Sequence, residues 1–154
     1  MAASVRCYAA TQPGQLTELR LLMELSALRR LADRGLSDQE FALVTKLAGD
    51  TVRLARGGDV PGYLRADMDF HLCLLELTAD PALTGIARLL LARDRSSVPR
   101  AEFMTRGARE HRELAGLLAG GMVSAADHLL RLHLSRPSAA ARLAGPVSIG
   151  RARA

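Results

Sequence analysis

Between residues 15 and 136 apolar positions recur every three or four residues, and glycines, prolines and capping residues cut that rhythm into six pieces. The first piece, 15–34, puts Leu16, Ala27, Leu28 and Leu31 on one stripe and Glu18, Arg29 and Asp33 on the other, and Gly35 closes it. Ser37-Asp38-Gln39-Glu40 reads as a capping box that opens a second helix running to Arg56, where Gly57-Gly58 ends it. A third helix covers 60–78. Asp80-Pro81, an N-cap followed by a proline that needs no N–H, opens a fourth that runs to 95. Ser96-Ser97-Val98-Pro99 breaks the chain, a fifth helix spans 100–119, and Gly120-Gly121 turns it into a sixth over 123–136, stopped by Pro137. The expected fold is all-α, a mostly antiparallel bundle of six to seven helices. Residues 15–136 form the expected domain, flanked by a flexible N-terminus over 1–14 and a flexible tail over 137–154.

Several polar residues fall on the wrong faces. A helix advances about 100° per residue, so residues four apart share a face. In the third helix Asp67 and His71 lie in line with Leu64, Met68, Leu74 and Leu75, while Arg65, Asp69 and Glu76 take the opposite side. In the fifth, His111 shares a stripe with Met104, Ala108, Leu114 and Leu118; in the sixth, His133 lines up with Ala126, Leu129 and Leu130, and His128 points the other way. A buried carboxylate without a partner costs several kcal/mol, and a neutral imidazole needs a partner at each nitrogen. One divalent ion would satisfy Asp67, His71, His111 and His133 together and leave coordination positions open. The plainer alternative is that each histidine is an ordinary, satisfied core residue. Arg20 and Glu24 also sit on the apolar stripe of the first helix. They read either as an i,i+4 pair at the stripe's edge or as a ligand-binding pair with an inward guanidinium that clamps a carboxylate.

Composition changes this picture little. Leucine and alanine dominate, and only 3% of the chain is aromatic, which suits helices and not sheets. Cys7 and Cys73 give no disulfide framework and read as free thiols of a reducing compartment. No run is long and apolar enough for a bilayer and the start is unlike a signal peptide, so a cytoplasmic, non-membrane protein is expected. Of the net charge of +5, three arginines of the tail (Arg142, Arg151, Arg153) account for +3 and leave +2 on the body. With no basic cluster interleaved with aromatics, direct DNA binding is not expected.

These residues, in this order, resemble the FCD domain, the effector-binding C-terminal domain of one subgroup of GntR-type bacterial transcription regulators. The resemblance runs from Leu16 to Arg136. It begins with Glu18-Leu19-Arg20 and Glu24, and passes through Leu31-Ala32-Asp33-Arg34-Gly35-Leu36-Ser37-Asp38. It continues with Asp67-Met68-Asp69-Phe70-His71, with Ala79-Asp80-Pro81-Ala82-Leu83 where many members have Asn-Pro, and ends on Glu110-His111 and His133. The resemblance implies one divalent transition metal (Zn, Ni, Mn, Fe or Co) held by Asp67, His71, His111 and His133. It further implies a small carboxylate-containing ligand above the metal, with Arg20 as a contact, and a homodimer. Such regulators carry a winged helix-turn-helix domain before this one; with about fifteen residues ahead of the first helix none is expected within this sequence, which reads either as a fragment of a longer chain or as a free-standing FCD protein. Two functions follow. One is a metal-dependent sensor of an organic acid. The other is a free-standing metalloenzyme of lyase, isomerase or hydrolase type, with Glu24 or Glu110 as base. Glu110 points off its helix's apolar stripe, so its plainer reading is a solvated acid. A metal-free structural bundle is the third possibility.

Overall fold

The structure, a computed structural model, describes residues 13–93 and 99–135. Among these residues it is built from six helices: α1 (Pro13–Arg34), α2 (Asp38–Gly57), α3 (Val60–Glu76), α4 (Pro81–Arg93), α5 (Ala101–Ala119) and α6 (Val123–Ser135). The six pieces of the apolar rhythm are these helices. α1 starts two residues before the expected position, at a proline whose missing N–H is no loss in a first turn. Of the segments read as flexible, residues 13 and 14 belong to α1, and the rest, including Cys7 and the three tail arginines, fall outside the described residues.

The punctuation works through local bonds. The Ser37 hydroxyl accepts the Glu40 N–H, and the Glu40 carboxylate accepts the Ser37 N–H at 2.8 Å, closing the capping box of α2. Asp59 caps α3 by accepting the Gly62 N–H, and Asp80 caps α4 through the Leu83 N–H. The turn after α2 is taken by Gly58 at φ +69°, a left-handed conformation that a side chain would strain.

α3 is the central helix. It packs on α1, α2, α4 and α5, and six consecutive residues from Phe70 to Leu75 are buried. α2 leans on α3 and α5, while α1 leans on α3, α4 and α6. Leu28, Leu31, Phe70, Leu74, Leu114 and Leu130, from four helices, meet in the main core. Fully burying one such side chain contributes about 1.5–3 kcal/mol. Cys73 is a buried free thiol. No described helix is long and apolar enough to cross a membrane.

Candidate metal centre

The polar residues picked out by helix faces converge on one point. One ligand atom from each of Asp67, His71, His111 and His133 lies within 4.8 Å of all the others. The Nε2 atoms of the three histidines form a triangle with every side 3.2 Å. Asp67 Oδ1 lies 3.5 Å from His111 Nε2 and 4.0 Å from His71 Nε2. α3 supplies Asp67 and His71 one turn apart, α5 supplies His111 and α6 supplies His133. The His111 ring is also stacked on Phe70, with centroids 4.3 Å apart.

Each ring is held by its other nitrogen. His71 Nδ1 is 2.6 Å from Glu24 Oε2, His111 Nδ1 is 3.2 Å from Thr51 Oγ1, and His133 Nδ1 is 2.8 Å from Glu110 Oε2. Five of the six helices therefore reach the centre, and only α4 does not. These partners assign the ring hydrogens. Burial by itself would raise the Glu24 carboxyl, but His71 and the Arg20 guanidinium reverse this and hold it at about 2, so it accepts and cannot donate. Thr51 spends its only hydroxyl hydrogen on the Ala48 carbonyl at 2.7 Å, so toward His111 it too accepts. Glu110 presents a carboxylate oxygen to His133. All three rings thus carry their hydrogen on Nδ1 and turn a bare Nε2 lone pair inward. Burial pushes His71 below its ordinary value and His111 well below, which keeps both rings neutral.

Three lone pairs 3.2 Å apart cannot bond to one another, and a single water has hydrogens for only two of them. A divalent cation accepts all three and the Asp67 carboxylate as well. The spacing suits one: imidazole nitrogens about 2.0–2.1 Å from a tetrahedral ion stand about 3.3 Å from each other. The residues present fit a metal.

The centre is closed on one side. His71, His111 and Glu24 are fully buried, whereas the Asp67 side chain is 25% exposed and that of His133 9%, so access is from the Asp67–His133 side. There the Tyr63 hydroxyl lies 3.5 Å from Asp67 Oδ1, and burial together with that carboxylate pushes its phenol up. Gly107 makes room for it, because a Cβ at that position would stand 2.6 Å from the Tyr63 oxygen.

Arg20 and Glu24, read together as a ligand-binding pair, are bonded to each other at 2.7 Å. Both Glu24 oxygens are engaged, one by Arg20 and one by His71, which places this acid behind the histidine. Glu110 corrects its plain reading as a solvated acid: it is 6% exposed and holds His133. Thr51 and Tyr63 were not anticipated. The signal for Thr51 was a hydroxyl on the buried stripe Val44, Ala48, Thr51, Ala55 of α2. His128 is on the exposed side of α6 and takes no part.

A family model described as the FCD domain matches residues 15–136. The chain belongs to the FCD family. It is thereby an effector-binding regulatory domain of the kind found in GntR-type regulators, a family in which such an Asp/His cluster is a possible metal site. A solved structure reported with the statement that Lar controls the expression of the Listeria monocytogenes agr system and mediates virulence shares the fold. Its TM-score is 0.69 at 18% identity, over 78% of this chain and 58% of that one. This chain therefore spans little more than half the length of that protein. No curated protein matches the sequence.

Proposed function

We propose that this FCD domain senses a small organic acid through a bound divalent metal. Asp67, His71, His111 and His133 hold the ion, one of Zn, Ni, Mn, Fe or Co, since a histidine-rich N3O set accepts them all. The observation that carries this reading is the set of three imidazoles locked into one tautomer with their lone pairs 3.2 Å apart. When bound, the metal supplies open coordination positions for a ligand carboxylate. Arg20, 12% exposed at its side chain and tied to Glu24, puts positive charge beside the centre. A ligand that prefers one arrangement of the bundle shifts the population toward it, and that shift is the signal. The regulator works as a homodimer. Supporting this, α1 and α4 pack on each other and leave Leu22, Ile86 and Leu89 exposed.

The enzymatic alternative is weaker on the same geometry. Glu24 and Glu110, the acids nearest the metal ligands, are each bonded to a histidine Nδ1, so neither is a free base. The test is elemental mass spectrometry on protein purified without a metal-affinity tag, followed by thermal shift with a panel of small organic acids. The expected result is one metal per chain, lost in His71→Ala and His133→Ala, and stabilisation by one class of acid without turnover. A metal-free protein whose melting is unmoved by chelator or added metal would refute the reading.

A further inference from the structure

The outer surface between α2 and α5 carries a second concentration of charge, remote in sequence but joined by the fold. Arg56 of α2 and Arg109 and Arg112 of α5 line one groove of about 470 Å³. A contiguous hollow of about 370 Å³ adds Arg53 and shares Arg56 and Arg112. Several other surface guanidiniums find carboxylates: Arg34 is 2.6 Å from Glu40, and Asp127 is shared by Arg29 and Arg131, whereas Arg65 stands exposed by itself on α3 among the described residues. In the groove only Arg53 has such a partner, Asp50, which it shares with Lys46. Among the described residues Arg56, Arg109 and Arg112 have none, although Glu113 stands at the same rim. Like charges left facing one another raise each other's free energy unless an anion joins them.

The rest of the lining favours a small ligand over a passing polymer. Val52, Ala55 and Ala108 give an apolar floor, and the exposed Thr105 adds a hydroxyl donor. Small alanines on facing helices let α2 and α5 approach closely, so the walls are two packed helices and not a loop. The volume lies in the range of small-molecule sites. Planar guanidinium forks match phosphate oxygens in pairs, and a phosphate brings nearly two charges and three acceptors to several arginines at once. We propose that the α2–α5 groove is a second binding site, separate from the metal centre, for a small molecule bearing a phosphate or diphosphate group.

The experiment is isothermal titration of the whole chain with inorganic pyrophosphate at low salt, with and without chelator. A saturable one-to-one isotherm is expected, and chelator does not change it. Arg109→Ala/Arg112→Ala, and independently Arg56→Ala on the other helix, weaken binding about tenfold or more. Arg65→Ala, on the exposed side of α3, changes it less than about twofold. Circular dichroism melts of each variant separate loss of the site from loss of the fold. Equal weakening by Arg65→Ala, or no saturable binding by a folded wild-type chain, overturns the proposal. So does binding of duplex DNA that pyrophosphate cannot displace, which would make the groove a flat electrostatic patch.

Discussion

Thr51→Val tests the tautomer reasoning with the least disturbance. Valine has threonine's shape and β-branch, sits as well in the middle of α2, and changes no charge. It removes one oxygen, the atom that accepts from His111 Nδ1 at 3.2 Å and donates to the Ala48 carbonyl at 2.7 Å. The carbonyl loses little, because it lies within the hydrogen-bonded body of α2. The imidazole has no such reserve, since His111 is fully buried. It can keep its hydrogen on Nδ1 against a methyl group, at about 1–3 kcal/mol for a buried donor without a partner. Or it can move the hydrogen to Nε2, which spares stability but caps the lone pair that the metal needs.

Both routes weaken metal binding. Loss of an outer partner of a metal-bound histidine typically costs about 10- to 100-fold in affinity, which is about 1.4–2.7 kcal/mol. The assay is competition against a chromophoric chelator, with thermal melts of the metal-free protein beside it. Thr51→Ser keeps the oxygen and is expected to hold metal within a few-fold of wild type. A Thr51→Val protein that is folded and binds metal as tightly as wild type would refute the assignment of ring hydrogens, and with it the case for three converging lone pairs.

Three further outcomes follow from the same geometry. Gly107→Ala should destabilise by about 1–3 kcal/mol, because the new methyl meets the buried Tyr63 hydroxyl at 2.6 Å. In a Tyr63→Phe background the same change should become neutral or stabilising, as alanine is the better helix former, and equal effects in both backgrounds would remove the clash as the cause. Glu24→Gln should weaken metal binding by about tenfold, and Glu24→Asp should not rescue it, since a side chain one methylene shorter falls short of His71 Nδ1; full affinity in Glu24→Gln argues against its outer role. The metal-free protein should lose stability on acidification. His71 and His111 titrate below their ordinary 6.5, so what they contribute is present above that pH and lost as pH falls below it. Glu24, held at about 2 against an ordinary 4.5 by His71 and Arg20 despite its burial, acts in the same direction, its contribution being present above pH 4.5 and lost on approach to pH 2. A melting temperature that stays level from pH 7 to pH 3 would contradict both parts.

What could be read in the sequence, and what could not, divides along a physical line. Helix ends are local: Ser37 and Glu40 are three residues apart, and Asp80 caps an N–H three residues on, so spacing alone announces them. The inward faces of Asp67, His71, His111 and His133 were legible for a related reason. Each lies in line with leucines or alanines one or two turns away. Face arithmetic assumes, however, that a helix buries a single stripe, and α5 does not. It packs on α2 along one side and on α6 along another. The buried arc consequently takes in Gly107, Ala108, Glu110, His111, Leu114 and Ala115. An acid about 100° from its histidine can then be buried against a neighbouring helix, and that is how Glu110 comes to hold His133.

The α2–α5 groove fails the same arithmetic from the opposite side. Arg53 and Arg56 lie over fifty residues from Arg109 and Arg112, and each pair alone is an ordinary solvated face. Along the sequence the body therefore carries little net charge and no basic run. Only the packing of α2 on α5 brings the two faces to one groove. The two sites also share a wall. Thr51 and His111 turn inward to the metal centre, while their chain neighbours Val52 and Arg112 turn outward to the groove. Only a ligand that moved α2 against α5 would disturb the 3.2 Å contact between Thr51 and His111, and pyrophosphate held by the outward arginines is expected to leave it in place. Because coupling is reciprocal, any factor by which pyrophosphate changed metal affinity would equal the factor by which metal changed affinity for pyrophosphate. Titration with and without chelator measures that factor directly, and the unchanged isotherm expected above corresponds to a factor of one: two independent sites on opposite sides of one rigid pair of helices.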